Sequence, residues 1–183
     1  MEIKQNNKVT FNPPRPTIND EGFAEAVTLQ FIKKYYPESF NEDYDFDFNE
    51  KTAGEIYESL IEEFHLWDDE QCLMEVLIKH HDWSFTEENW SNIQEFSDLV
   101  RNTLKAKEQV WFEVNAIQPP FPVGATVKYR LSIYTIHAID DYYIARYILQ
   151  DDAWRKKHGE NGGTVVKFED VELVEAFIEE ETK

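Results

Sequence analysis

The chain has 183 residues, room for one domain or two small ones, and carries a formal charge of −19 from 37 acidic and 18 basic residues. Hydrophobic residues make up 42% and aromatic residues 15%, enough apolar matter to bury a core, which excludes a disordered acidic tail. A charge this negative also excludes, for the protein as a whole, direct binding of duplex DNA or of an anionic membrane, and it favours basic partners.

Residues 1–19 read as an extended N-terminal arm. Met1–Thr10 is polar, without the apolar core of a signal peptide, so a cytoplasmic protein is expected. The prolines bar Asn12-Pro13-Pro14-Arg15-Pro16 from a helix. That stretch reads as a polyproline-like lead-in to the first helix, or as a ligand for an aromatic groove. Residues 20–116 read as an acidic helical domain. Phe23, Val27, Phe31 and Tyr35 recur every four, with Ala26 alongside, which predicts a helix over 20–36 capped by Asp20 and ended by Pro37. Residues 38–50 form a loop dense in Asp, Asn and aromatics. A second helix is predicted from Thr52, where Glu55 completes a capping box, with Ile56, Leu60, Ile61 and Phe64 as its stripe. A third runs from Asp68 and turns Leu73, Val76, Leu77 and His80 inward. Cys72 lies in it as a small buried hydrophobe; one cysteine excludes an intrachain disulfide framework and suits a reducing compartment. A fourth, long helix begins near Ser84 or Thr86 with Trp90, Ile93, Phe96, Val100 and Leu104 as its stripe. No apolar run approaches the length of a membrane span.

At Gln118-Pro119-Pro120-Phe121-Pro122 the prolines stop helices, and the period switches to two. Val127, Tyr129 and Leu131 alternate in one strand. Residues 132–139 and 142–149 are β-branched and aromatic and are joined by a turn at Asp140-Asp141. A loop from Gly159 to Gly163 leads into Thr164–Phe168, and a short turn at Glu169-Asp170 precedes Val171–Val174. Pro122-x-Gly124, Val127, the two hairpins and the closing run Val165-Val166-Lys167-Phe168-Glu169-Asp170-Val171-Glu172-Leu173-Val174 resemble an SH3-like small β-barrel over 121–175, with Phe168–Val171 as the tight turn before its last strand. Such barrels bind peptides, RNA, DNA or nothing, so the resemblance implies a topology and no function, and the insert at 150–163 departs from a compact barrel. The expected fold class is α+β: an N-terminal acidic helical bundle, then a C-terminal SH3-like small antiparallel β-barrel over 117–176 and an acidic tail over 177–183.

The charge is unevenly placed. Between Tyr35 and Asp98 there are 19 acidic residues against Lys51 and Lys79, a net of −17, whereas residues 117–175 hold nine acidic and seven basic residues. Duplex DNA carries one charge per about 1.7 Å of axis, so 17 charges match roughly 29 Å of duplex, close to the length of a 20-residue helix. A bundle of this size can therefore present DNA-like charge density through outward-facing Glu55, Glu58, Glu62, Asp69, Glu75, Glu87, Glu88 and Glu95. The competing reading is a solvated surface that keeps the protein soluble. Trp154-Arg155-Lys156-Lys157-His158, between Asp151, Asp152 and Glu160, is the one basic cluster. It reads as a solvated loop tip, or as a contact for phosphate or an acidic partner surface with Trp154 as anchor. Trp67, Trp83, Trp90 and Trp111 read as core. Strand alternation sends about half of Tyr134, Tyr142, Tyr143 and Tyr147 outward, where they would make a binding face.

Little in the chain points to chemistry. His80-His81-Asp82 sets neighbouring rings about 100° apart on a helix, unsuited to one metal ion. Asp43, Asp45, Asp47 and Glu50 lack the glycine and terminal glutamate of a calcium loop, which leaves at most a weak divalent site. No nucleophile elbow and no phosphate loop occur. We expect no catalytic residue, no metal and no cofactor. In size and charge the chain is similar in physical type to the acidic anti-restriction and anti-CRISPR proteins of bacteriophages. That likeness implies an inhibitor of a basic nucleic-acid-binding protein, a nuclease or its complex, in the cytoplasm of a bacterial host. The alternative is an adaptor or toxin-immunity protein that binds through the barrel, with Tyr143, Trp154, Arg155, Lys156 and Lys157 in the contact. A hydrolase site in the acidic loop is the least favoured of the three. Partner identity and oligomeric state are not legible.

Overall fold

In a computed structural model the described residues are 9–35, 53–83 and 87–174. The protein is α+β, with five α-helices and one five-stranded antiparallel sheet among these residues. Its chain divides into two compact units, one formed by Pro16–Lys107 and the other by the residues through Arg15 together with those from Glu108 onward. Sequence reasoning set these borders at 19/20 and 116/117; Arg15 and the last turns of the long helix go with the sheet.

The helical unit holds α1 (Phe23–Tyr35), α2 (Ala53–Glu62), a 3₁₀ turn (Phe64–Leu66), α3 (Glu70–His80) and the first part of α4 (Glu87–Val114). The four-residue spacing of Phe23, Val27 and Phe31 puts one stripe of α1 in the core, and all three are buried together with Ile32. Leu60 and Phe64 enter from α2 and the 3₁₀ turn, Leu73, Met74 and Leu77 from α3, and Ile93, Phe96 and Val100 from α4. The aromatic rings meet edge to face: Phe31 on Phe96 at 5.3 Å and Phe64 on Phe96 at 6.0 Å between centroids. Each fully buried side chain of this kind contributes about 1.5–3 kcal/mol by leaving water. On α3, Met74 takes the place expected for His80, which is exposed. The inward arc is centred between Leu73, Leu77 and Met74, and His80 falls at its margin in the last turn. Trp67, Trp83 and Trp90 are half-buried and pack against this core, and Trp111 is buried in the core of the other unit. The capping box at Thr52, the stop at Pro37 and the acidic loop lie outside the described residues.

The sheet unit contains β1 (Thr126–Tyr129), β2 (Ser132–Ile139), β3 (Arg146–Gln150), α5 (Asp152–His158), β4 (Thr164–Lys167), a 3₁₀ turn (Phe168–Asp170) and β5 (Glu172–Leu173). Strand order is β4-β3-β2-β1-β5. β4 and β5 are the two edges, so the sheet is open, yet one 3₁₀ turn of three residues connects them. Five flat strands would put those edges about 19 Å apart. A 3₁₀ turn rises only about 2 Å per residue, so the sheet curls strongly. Val127, Ile136, Tyr147, Leu149, Val166, Phe168 and Val171 fill its concave side.

Two strand expectations and one loop expectation fail for local reasons. Tyr129 pairs with Ser132, so Arg130 and Leu131 form a two-residue turn in which Arg130 has φ +54° and Leu131 is 98% exposed instead of alternating into a face. Tyr142 and Tyr143 lie in a turn ahead of β3, because the Asp140 carboxylate accepts hydrogen bonds from both of their backbone N–H groups, at 2.8 and 2.6 Å. The expected loop tip at 154–158 is helix α5: Asp151 caps it by accepting from the Trp154 N–H, and Gly159 ends it at φ +66°.

Arg15 holds this unit together. Its guanidinium donates to both oxygens of Glu169 at 2.6 and 3.0 Å, to Glu108 at 3.1 Å, and to the carbonyls of Ile144 and Ala145 at 2.9 and 2.8 Å. It also lies 4.9 Å from the centre of the Trp111 ring. Burial opposes its charge, but the bonds and charge of Glu169, then of Glu108, outweigh burial and hold its pKa above the usual value.

Candidate functional site

The helical unit is where charge is left over. Over Pro16–Lys107 there are 22 acidic and 7 basic residues, a net of −15, against −4 for the rest of the chain. On α2, Glu55, Glu58 and Glu62 follow an i, i+3, i+7 spacing, which confines them to an arc of about 60° and spreads them over about 10.5 Å of helix axis. One strand of DNA carries a charge every 3.4 Å or so, about four over the same length, so the stripe has roughly two thirds of the charge density of a phosphate strand. All three side chains are exposed, and none has a cationic partner among the described residues. The opposite flank of α2 supplies Leu60 and half-buried Ile56 to the core, so the stripe is turned outward by the same periodicity that buries the helix.

The other nominated carboxylates have separate tasks or settings. Asp69 is the N-cap of α3, and its carboxylate accepts from the Cys72 N–H at 3.0 Å. Glu75 accepts from the Gln71 amide at 3.0 Å, beside a shallow apolar groove lined by Met74, Ile78 and Trp90. Glu95 pairs with Lys34 at 2.9 Å, both ends exposed. Glu87 is exposed at the start of α4, and the Glu88 side chain lies outside the described residues. The structure thus brings together Glu55, Glu58 and Glu62, and assigns Asp69 to a helix cap and Glu95 to an ion pair with Lys34. The sequence marked Asp20 only as a helix cap and Glu21 and Glu25 not at all, yet all three share a groove with Glu62. Their clustering just ahead of and within the first turn of α1 was the available signal. The field there is felt by Tyr57 of α2: burial first, and then the negative charge of Glu25, raises its phenol pKa.

In the sheet unit the Tyr142 and Tyr143 rings meet edge to face at 4.8 Å and are both exposed, and the Arg146 guanidinium lies 4.9 Å from the Tyr143 ring centre. Trp154 stacks on His158 at 4.4 Å and donates from Nε1 to the Asn161 carbonyl. Lys156 and Lys157 are exposed and Arg155 is half-buried. Gly163 lets the loop after α5 press onto β3, since a Cβ there would fall 2.8 Å from Ile148 Cγ2. Tyr143 and Trp154 are therefore each held by their own local framework.

Among the described residues no group of three or more His, Cys, Asp or Glu is arranged to hold a metal ion, and no helix is long and apolar enough to cross a membrane. Asp43, Asp45, Asp47 and Glu50 lie outside those residues. The chain matches no known protein family, no curated protein and no solved structure.

Proposed function

We propose that this is an acidic interaction protein that inhibits a basic nucleic-acid-binding protein, a nuclease or its complex, by occupying the channel that would take the nucleic acid. The observation that carries this reading is the α2 stripe: three exposed carboxylates in line over about 10.5 Å, at roughly two thirds of the linear density of a phosphate strand, without counter-cations among the described residues. Like charges at i, i+3 and i, i+4 on a helix destabilise it, so a stripe of this kind costs the fold something and contributes nothing to its own packing. The physical likeness to phage anti-restriction and anti-CRISPR proteins, and action in a bacterial cytoplasm, belong to the same proposal. The sheet unit would serve as an SH3-like barrel; the 3₁₀ turn between β4 and β5 and the pairing of β5 with β1 support that reading.

The test is capture of a basic nuclease by the purified protein at low and high salt, in competition with duplex DNA. Capture should fall steeply with salt and with Glu55→Lys, Glu58→Lys and Glu62→Lys combined, and be spared by Tyr143→Ala. No capture at low salt overturns the proposal. A second reading, an adaptor or immunity protein that docks through the sheet unit, draws on the preformed Tyr142–Tyr143 turn and exposed Trp154. It inverts the mutational pattern: Tyr143→Ala or Trp154→Ala weakens binding and the charge reversals spare it.

A further inference from the structure

We propose that the groove between the start of α1 and the end of α2 seats one amphipathic segment of the partner that bears lysine or arginine. This deepens the anionic-surface reading and rests on it. The groove encloses about 480 Å³, within the roughly 300–1,000 Å³ common for ligand clefts. Its apolar floor includes Ile18, Ile61 and Phe64. Around that floor stand Asp20, Glu21, Glu25 and Glu62, all exposed, and no lysine or arginine lines it.

Floor and rim together select the occupant. A phosphate or a nucleic acid would be repelled by four carboxylates. A wholly apolar segment would strip water from those carboxylates with nothing to replace it. Lysine and arginine suit both parts, because their methylene stems lie along apolar surface while their charged heads reach outward to acid groups. Arginine adds two-pronged bonding to a carboxylate. Glu62 belongs both to this rim and to the α2 stripe, so the groove continues the anionic surface and adds an apolar contact that plain charge density lacks.

The probes are a fluorescein-labelled peptide of alternating lysine and leucine and an oligolysine of equal charge, read by fluorescence anisotropy, with methyl NMR of the isoleucines. The lysine–leucine peptide should bind more tightly than oligolysine, keep part of its affinity at about 0.5 M salt, and shift the Ile18 and Ile61 methyl signals. Glu25→Gln with Glu62→Gln should weaken it by about tenfold, and Ile61→Ser by a similar factor. Ile18→Ser gives the same reading should Ile61→Ser fail to fold. Glu55→Gln with Glu58→Gln, outside the groove, should change affinity by less than about threefold. Equal loss from both carboxylate pairs, with no effect of either isoleucine change, overturns the groove and leaves the anionic surface standing. So does capture of a basic nuclease by a protein that binds neither peptide. Failure of peptide and nuclease binding alike overturns both.

Discussion

The two units treat charge in opposite ways. In the sheet unit it is taken out of water and matched: the Arg15 side chain is 3% exposed and its partners Glu108 and Glu169 are 7% and 21% exposed. In the helical unit most of it is left in water, the half-buried contact of Glu63 with the His81 ring at 3.2 Å being the exception among the described residues. The Lys34–Glu95 pair is 64% and 46% exposed, a setting in which an ion pair contributes about 0–1 kcal/mol, and the α2 stripe has no such pair among the described residues. The contrast separates two uses of one chemistry. A buried charge that loses its partner is strongly destabilising, so it is committed to the fold, whereas an exposed unmatched charge is free to meet a partner from outside.

The contrast breaks most visibly at Arg15. Replacing it with methionine leaves buried Glu108 with only the Arg146 guanidinium, 3.9 Å away, for a cation and frees Glu169 of its bidentate partner, and chemical denaturation should show a loss of about 3–5 kcal/mol. A loss below about 1 kcal/mol would mean that the clamp does not hold the unit. A smaller effect is expected at Tyr147, whose buried hydroxyl donates to the Phe121 carbonyl and accepts from the Phe121 N–H, both at 2.9 Å. Tyr147→Phe should cost about 1–3 kcal/mol at neutral pH. Burial raises the Tyr147 pKa, against a lowering by its bond to Phe121. The folded protein therefore keeps this proton to higher pH than the unfolded chain. The stabilisation is complete below the unfolded value of about 10 and is lost as pH rises above it, so the gap between wild type and Tyr147→Phe should narrow in alkaline unfolding measurements. Smallest of the three is Glu58→Gln on α2. Removing one charge between Glu55 and Glu62 should raise stability by a few tenths of a kcal/mol at low salt, with the gain fading as salt is added. A loss there would show that the stripe supports the fold.

Much of the helical unit is legible because helical periodicity is local. Phe23, Val27 and Phe31, or Leu73 and Leu77, show their buried face within a few residues of chain. The alternation over 132–139 marks β2 for the same reason. Other features were hidden by competing local chemistry. Alternation ran on through Leu131, where a two-residue turn intervenes, and into Tyr142 and Tyr143, whose backbone is claimed by the Asp140 carboxylate. Helix α5 is seven residues long with no buried side chain, so its sequence has no apolar stripe to read. Of the candidate site, the outward stripe Glu55, Glu58 and Glu62 was readable from spacing. The groove was not, since Ile18 and Ile61 lie 43 positions apart in the chain.

What the sequence determines by itself here is the amount of charge, its concentration in one part of the chain, and the periods that make helix or strand, because each is set by composition or by neighbours a few residues away. Only the tertiary structure decides which carboxylates are spent and which remain. Glu108 and Glu169 are taken by Arg15, 93 and 154 residues away, and Glu95 by Lys34, 61 residues away. Such pairings arise when distant segments meet and water leaves or stays, and no local pattern encodes that meeting.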